Sequence, residues 1–231
     1  MSAATEPTRV DDAELADLVS SGAATLALPL TAAQVDRLVA YVRLIQRWSG
    51  TYNLTAIRDP RDMVTQHILD CLAAAAALFR RRGNATGERL LDVGSGAGLP
   101  GIVIGVVAPE REVVCVDSVG KKTAFITHAA GTLGLKNVTA LHQRVETLVE
   151  SRFDVVASRA FSSLQDFVAA TRHLLEERGT WMAMKGKAPH AELEGLKGLT
   201  FHVEPLAVPG LNADRCIVWI QPLDLGASAR L

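Results

Sequence analysis

The sequence predicts an α/β fold with a Rossmann-like, doubly wound parallel sheet, a C-terminal antiparallel hairpin and a small N-terminal helical subdomain. Apolar residues recur at helical spacing before residue 82, and short apolar strands alternate with helices after residue 87. A glycine-rich loop follows the first of these strands. The 231 residues are 48% hydrophobic and 21% charged, which excludes disordered, collagen-like and disulfide-scaffold classes.

The N-terminal part is predicted to be helical. Thr31 and Gln34 form a capping-box pattern, and the apolar residues after them predict a helix that ends near Gly50. A second helix is expected from Asp62 to the arginines at 80–82. We therefore divide the chain into an acidic leader at 1–30, whose order the sequence leaves open, a helical subdomain at 31–86 and a sheet domain at 87–231.

Charge is distributed unevenly along this part. Residues 1–36 hold one arginine against six acidic residues, whereas residues 37–82 hold eight arginines against three. Arginine favours phosphate, so the basic segment is a candidate RNA-binding face. A solvated helix surface is the commoner explanation of such a charge run.

The sheet elements follow in regular order. Strands are predicted at 90–93, 113–117, 138–141, 153–158 and 180–184, with helices at 102–107, 121–133 and 164–175. Two further β-rich stretches at 201–208 and 216–220 have only a turn between them. They predict the terminal hairpin.

The loop at 92–101, with the sequence Asp-Val-Gly-Ser-Gly-Ala-Gly-Leu-Pro-Gly, is the most informative stretch. From Gly96 it is G-x-G-x-x-G, which is typical of nicotinamide-dependent oxidoreductases if its N–H groups stay bare for a pyrophosphate. From Asp92 it is acidic-x-G-x-G-x-G, the pattern of S-adenosylmethionine-dependent methyltransferases. A carboxylate attracts the amino and sulfonium groups of that cofactor and repels a pyrophosphate, so Asp92 favours the methyltransferase.

Other positions limit the reaction. Asp117 ends the second strand where a ribose diol is held, and Glu146 follows the third strand on the adenine side. The residues after the fourth strand, including Arg159 and Phe161, lack the Asn/Asp-Pro-Pro-aromatic motif of amino-group methyltransferases. No cysteine stands beside a proline as a nucleophile. An acceptor that needs no covalent catalyst remains, such as guanine N7.

The sequence also predicts several absences. The three cysteines are far apart, so neither a disulfide nor a metal site is expected. The longest apolar run, at 71–79, is too short for a membrane span, and no secretory signal is visible, so we expect a cytoplasmic protein. With 5% aromatic residues and scattered tryptophans, no base-stacking platform is visible.

A set of short motifs resembles the bacterial RsmG (GidB) family over residues 31–220. They are Tyr52-Asn53-Leu54-Thr55, His67-Ile68-Leu69-Asp70, the loop at 92–101, Lys121-Lys122, Arg144-Val145-Glu146, Ser158-Arg159-Ala160-Phe161 and Lys185-Gly186. The resemblance implies a class I methyltransferase sheet and transfer of a methyl group to N7 of a guanine in the 530 loop of 16S ribosomal RNA, at position 527. It departs from the family at Cys71, where serine is usual, and in its long acidic leader.

The residues and the resemblance together define a candidate site, without an assigned catalytic residue. For S-adenosylmethionine the set is Asp92, Gly94, Gly96, Gly98, Leu99, Asp117, Val145, Glu146 and Arg159. For RNA it is Asn53, Lys121, Lys122, Arg159 and Lys185. The expected partner of this monomer is 16S ribosomal RNA in the small subunit or an assembly intermediate. A non-catalytic RNA-binding or assembly module is a second alternative.

Overall fold

The computed structural model describes residues 10–52, 54–83, 86–149, 152–159, 161 and 163–223. Within them lies one seven-stranded sheet, made of β1 (Arg89–Val93), β2 (Glu112–Asp117), β3 (Val138–His142), β4 (Phe153–Ser158), β5 (Leu175–Lys185), β6 (Leu199–Pro205) and β7 (Cys216–Pro222). The strand order is β3-β2-β1-β4-β5-β7-β6. The first five strands are parallel, and β7 is antiparallel to both β5 and β6. The predicted doubly wound sheet and terminal hairpin are confirmed.

Helices cover both faces of this sheet. They are α1 (Asp12–Thr25), α2 (Ala32–Tyr52), α3 (Pro60–Met63), α4 (Asp70–Arg82), α5 (Gly101–Val107), α6 (Gly120–Thr132), α7 (Leu164–Thr171) and α8 (His190–Leu193). A π-helical turn at Val64–Leu69 joins α3 to α4 without a break. Short 3₁₀ turns lie at Val145–Thr147 and Arg172–Leu174.

The predicted capping box starts α2. The backbone N–H of Thr31 donates to Gln34 Oε1 at 2.9 Å, and the N–H of Gln34 donates to Thr31 Oγ1 at 3.3 Å. The helical segment Pro60–Arg82 is long and apolar enough for a membrane span by composition, but 78% of its most apolar window is buried inside the protein. It is the central core helix of the N-terminal part.

The acidic leader contains a helix. Leu15 and Val19 of α1 are fully buried against the neighbouring helices. Two carboxylates of the same helix pair with the basic segment: Asp12 with Arg43 at 2.7 Å and Glu14 with Arg61. Part of the basic face proposed for RNA is therefore neutralised within the chain. The predicted boundaries at residues 30 and 86 stay predictions.

Alternate strand residues enter two separate cores. Leu90 and Cys115 face α1, α2, α4, α5 and α6, whereas Leu91 and Val156 face α7. The N-terminal helices thus share one continuous core with a face of the sheet. This packing places the carboxyl ends of β1, β2, β4 and β5 along one edge, beside the end of α2 and the π-helical turn.

Several boundaries differ from the prediction. Helix α2 continues to Tyr52, α7 ends at Thr171 rather than at residue 175, and β5 begins at Leu175 rather than at residue 180. The register of β4 and β5 shifts between the pairs Phe153 with Leu175 and Val155 with Thr180. The extra residues of β5 include three exposed charged side chains at 176–178. These side chains lie in a bulge of an otherwise buried strand. Because they are polar, the apolar pattern of the sequence predicts only the later part of the strand.

We expect Gly101→Ala to destabilise the fold. A Cβ atom there would collide with Cys115 Sγ and would lie 2.9 Å from Asp92 Oδ2. Overpacking of this kind costs roughly 1–3 kcal/mol. Urea denaturation of the wild type and the variant measures the free energy of unfolding.

The matched control is Gly131→Ala in α6, where a Cβ atom meets nothing within 4 Å. Alanine favours a helix over glycine, so this variant should be as stable as the wild type or slightly more stable. Equal stability of the Gly101 and Gly131 variants would show that α5 can move away from β1 at no cost.

Candidate active site

The turn between β1 and α5 carries the glycine-rich loop. Gly94, Gly96 and Gly98 have φ angles of 67°, 60° and 87°, in the left-handed region that favours glycine. The loop is held to β2 and to itself, because the N–H of Gly94 donates to Val116 O of β2 at 2.9 Å and that of Gly98 donates to Ser95 O at 2.8 Å. The chain therefore turns from strand to helix within a compact, hydrogen-bonded loop.

The expectation that the glycine N–H groups of the loop stay free for a ligand is wrong. The N–H groups of Gly94 and Gly98 are bonded, and two further N–H groups of the loop are bonded as well. Gly96 donates its N–H to Asp117 Oδ2 at 3.0 Å, and Gly101 donates its own to Asp92 Oδ2 at 2.9 Å. Both acceptors are carboxylates at strand ends. They bind the N–H donors that would otherwise bind a pyrophosphate. This arrangement disfavours the nicotinamide alternative.

Asp92 is fully buried beneath the loop. One carboxylate oxygen accepts from the first N–H of α5, while the other, Oδ1, is buried without a hydrogen-bond partner among the described residues. Burial raises the pKa of Asp92 to about 7, although the N–H of Gly101 opposes the rise. The loop thus rests on a carboxyl group that titrates near neutral pH.

Asp117 ties the loop to β2. Its Oδ1 accepts from the N–H of Val119 at 2.9 Å, its Oδ2 accepts from Gly96, and Lys122 Nζ lies 3.7 Å from Oδ2. The carboxylate stands at the carboxyl end of the strand, as the sequence predicts. It orders the loop and also faces the cavity beside it.

A cavity of about 150 Å³ opens beside the loop, at the carboxyl ends of the strands. It is lined by Val93, Gly94, Val116, Asp117, Ser118, Gln143, Arg144, Val145, Glu146 and Phe161. Four predicted cofactor residues are in this set: Gly94, Asp117, Val145 and Glu146. Phe161, which sequence reasoning did not assign, forms the far wall.

The other predicted cofactor residues do not line this cavity. Gly98 and Leu99 are buried in the loop, and a Cβ atom at Gly98 would lie 2.7 Å from Ile102 Cδ1. The glycine at this position therefore allows α5 to approach the loop. Asp92, Gly96 and Arg159 are likewise absent from the cavity lining.

The lining fits S-adenosylmethionine. Two carboxylates, Asp117 and Glu146, face the cavity and can accept from ribose hydroxyls and from amino groups, and Val145 and Phe161 provide apolar surface for a flat ring. Arg144 is the single arginine or lysine of the set, and it pairs with Glu146 at 3.3 Å. The donor set suits a ligand without phosphate groups.

A second cavity, of about 330 Å³, lies at the carboxyl ends of β4 and β5. Its lining is Gln66, His67, Asp70, Arg159, Met184, Lys185, Gly186, Leu206, Arg215 and Cys216. The predicted residues Arg159 and Lys185 meet here, together with the π-helical turn and the start of β7. Asp70 and Arg215 were not predicted, although Asp70 stands in a motif that the resemblance includes.

Arg159 is held in a network of polar groups. Its Nη1 lies 3.3 Å from Asp70 Oδ2 and donates to Gln66 O, and its Nη2 lies 3.3 Å from His67 Nδ1. Arg215 Nε binds the other oxygen of Asp70 at 3.2 Å. The guanidinium group of Arg159 is thereby fixed at the cavity wall.

The same environment shifts the pKa values of two side chains in the network. Burial raises the pKa of Asp70, and the two guanidinium groups oppose that rise. Burial and then the charge of Arg159 lower the pKa of His67 to about 4, so this imidazole is neutral at pH 7. Its Nε2 lies 2.9 Å from Thr55 Oγ1.

One short segment separates the two cavities. The Phe161 side chain lines the first cavity, while Lys185 Nζ, in the second, donates to the Phe161 carbonyl at 3.1 Å. Lys185 also pairs with Glu192 at 2.9 Å. Phe161 and the lysine that binds its carbonyl therefore connect the linings of the two cavities.

The predicted RNA-binding residues are not all in one place. Arg159 and Lys185 share the second cavity, Lys121 is exposed at the start of α6, and Lys122 pairs with Asp117. Asn53 lies outside the described residues. Their contact with RNA stays a prediction.

The cysteines are not placed for nucleophilic catalysis. Cys71 and Cys115 are fully buried and Cys216 is 5% exposed, and burial raises the pKa of all three thiols. Among the described residues no group of three or more histidine, cysteine, aspartate or glutamate side chains is arranged for a metal ion.

The chain is similar to known proteins over most of its length. Residues 34–218 match the model of the GidB family, described as rRNA small subunit methyltransferase G. The chain belongs to this family. Relatives named "Ribosomal RNA small subunit methyltransferase G" are similar to this chain over nearly its full length. The protein from Acidovorax ebreus is 51% identical over 93% of this chain and 98% of its own, and that from Methylibium petroleiphilum is 54% identical over 91% and 96%.

Solved structures support the same fold at low sequence identity. A SAM-dependent methyltransferase from Aquifex aeolicus matches with a TM-score of 0.52 and 16% identity, over 70% of this chain and 98% of its own. A ribosomal protein L11 methylase from Lactobacillus delbrueckii matches with a TM-score of 0.53 and 14% identity, over 64% and 76%. This member of the GidB family is therefore an S-adenosylmethionine-dependent methyltransferase of ribosomal RNA with a class I fold.

We expect Asp92 to make the stability of this methyltransferase depend on pH. Its pKa of about 7 in the folded protein lies above the ordinary value of 3.8, so the stability that it contributes is full below pH 3.8 and is lost as the pH rises to about 7. Between about pH 5 and pH 8 the loss is roughly 2–3 kcal/mol. Urea denaturation across this range measures it.

Asp92→Asn is the matched variant, because its side-chain oxygen can still accept from Gly101 and cannot ionise in this range. As the pH rises, the unfolding free energy of the wild type should fall relative to that of the variant. Parallel pH profiles for the two proteins would contradict the assignment of the titration to Asp92.

Proposed function

We propose that this methyltransferase transfers the methyl group of S-adenosylmethionine to N7 of a guanine in the 530 loop of 16S ribosomal RNA, at position 527, by direct in-line displacement. In this proposal the cofactor binds in the 150 Å³ cavity and the guanine enters the 330 Å³ cavity. The observation that carries the proposal is the hydrogen bond that joins the two cavities, from Lys185 in the lining of the second to the carbonyl of Phe161 in the lining of the first.

The chemistry of the second cavity suits an acceptor that carries no proton. Guanine N7 has a free lone pair at neutral pH, so it needs neither a general base nor a covalent intermediate, and alignment supplies much of the rate. S-adenosylmethionine supplies an electrophilic methyl group on a sulfonium. In the transfer a carbon–sulfur bond breaks as the carbon–N7 bond forms, and S-adenosylhomocysteine and a cationic 7-methylguanine result.

Arg159 is the residue that we propose to orient the guanine. A guanidinium group can donate to guanine O6 or to the phosphate of the same nucleotide. Positive charge develops on the guanine as the methyl arrives, so an uncompensated arginine beside it would slow the reaction. The carboxylate of Asp70, between Arg159 and Arg215, offsets one of their two positive charges.

The proposed setting of the reaction follows from the substrate. The small ribosomal subunit or an assembly intermediate presents the RNA, in the cytoplasm, to a monomer that needs no metal. A base lodged in a cavity must leave its stack, which is easiest in an unpaired loop.

The first test is transfer of radiolabelled methyl from S-adenosylmethionine to small subunits from cells that lack this protein. Label recovered as 7-methylguanosine at position 527 is the expected result. Label in another nucleoside, or at another guanine, would contradict the proposed acceptor atom or the proposed target.

Substitution of Arg159 tests the role of the second cavity. We expect Arg159→Ala to lower kcat for methyl transfer by roughly a hundredfold or more, because an oriented donor at the reacting base is lost. The affinity for S-adenosylhomocysteine, measured by calorimetry, should stay unchanged. Arg172→Ala is the control, since Arg172 is exposed at the opposite end of the sheet.

Transfer by Arg159→Ala at the wild-type rate would remove Arg159 from the proposed mechanism. Circular dichroism and thermal denaturation of both variants separate this result from a loss of folding.

A further inference from the structure

Four aromatic rings meet where the end of α2 packs against α6. Trp48 is the centre of this cluster, with ring centroids 5.1 Å from Tyr52, 5.2 Å from His128 and 5.3 Å from Phe125. The ring planes of Trp48 and Tyr52 are inclined by 31°, and those of Trp48 and His128 by 34°. The fold thus gathers aromatic side chains that are scattered along the sequence.

The inner side of the cluster reaches the cofactor loop. Phe125 is fully buried and stacks on Tyr41 at 6.4 Å, and the Tyr41 hydroxyl donates to the carbonyl of Ala97 in the glycine-rich loop. A continuous path of packed rings therefore joins the loop to the surface.

The outer side is exposed and basic. Tyr52 is 39% exposed, His128 is exposed and Trp48 is half-buried. Arg47 adjoins Trp48 on α2, and Lys121 lies two helical turns before His128 on the same exposed stripe of α6, and both are exposed. An apolar ring surface flanked by cations complements an unpaired nucleotide, which has a flat base and a negative phosphate.

The helices that carry the surface lie close along the chain to residues of both cavities. Helix α6 begins three residues after Asp117 of the cofactor cavity. Tyr52 precedes Thr55 by three residues, and Thr55 binds His67 of the second cavity. A strand of RNA that places one base in the second cavity is therefore within reach of the rings.

We propose that Trp48, Tyr52 and His128 form a stacking surface for an unpaired base next to the target guanine, with Arg47 and Lys121 at its phosphate groups. This inference rests on the proposed function, because it concerns how the same RNA substrate is held. Such a surface is not visible in the sequence, because its rings come from two helices that are far apart along the chain.

Intrinsic fluorescence offers a test without catalysis. Trp181 and Trp219 are 0% and 1% exposed, so Trp48 is the tryptophan that a stacked base can quench. A short single-stranded RNA oligonucleotide that contains all four bases is titrated into the full chain at fixed salt. We expect quenching in the wild type and its loss in Trp48→Phe.

Substitution of the exposed rings measures their contribution. We expect Tyr52→Ala and His128→Ala each to weaken RNA affinity by roughly tenfold, and Tyr52→Phe to keep the affinity within about twofold, because stacking needs the ring and not the hydroxyl. The control is Phe201→Ala, since Phe201 is 47% exposed on the edge strand β6. In methyl transfer to small subunits the first two variants should raise KM and leave kcat and S-adenosylhomocysteine affinity unchanged.

The outcomes are distinguishable from those of the proposed function. Wild-type RNA affinity in both alanine variants would overturn the stacking surface, even if 7-methylguanosine is formed. A raised KM for subunits with unchanged affinity for the oligonucleotide would also overturn it, since a ribosomal protein would then be the partner. Reduced oligonucleotide affinity in a protein that forms no 7-methylguanosine would keep the surface and reject the proposed acceptor.

Discussion

The hydrogen bond from the Gly101 N–H to the buried carboxyl group of Asp92 is the constraint on which the active site depends. It caps the first turn of α5 at the position where a Rossmann-like fold otherwise holds a phosphate. A side chain at position 101 would collide with Cys115 and Asp92, so this position favours glycine. The strand, the loop and the helix are thereby held together, and the 150 Å³ cavity lies beside this unit.

Much of the charge in the N-terminal part is paired within the chain. The leader helix α1 places Asp12 and Glu14 against arginines of the basic segment, and Arg80 and Arg82 pair with Glu204 and Glu88. Exposed ion pairs of this kind contribute little stability each. Their larger effect is to pair part of the arginine-rich segment within the chain, which limits the role proposed for this segment in RNA binding.

The second cavity uses a different electrostatic arrangement. Asp70 is 3% exposed and lies between two guanidinium groups, which bind its two oxygens. A buried carboxylate with two cationic partners keeps them in fixed positions, whereas a single exposed arginine would sample many rotamers. A neutral His67 adds a polar contact without further charge. The wall that would face a guanine therefore holds its groups in place and keeps one more positive than negative charge.

The sequence by itself determined the order of strands and helices, the terminal hairpin, the capping box and the acidic glycine-rich loop. These depend on periodicity, turn residues and short spacings, which act over a few residues. The tertiary structure alone decided that Asp70 meets Arg159 and Arg215, which are 89 and 145 residues away, and that Trp48 meets His128. It also decided that the loop N–H groups bond to strand-end carboxylates. Such contacts follow from how helices pack on the sheet, because packing brings together side chains whose separation along the chain carries no local signal.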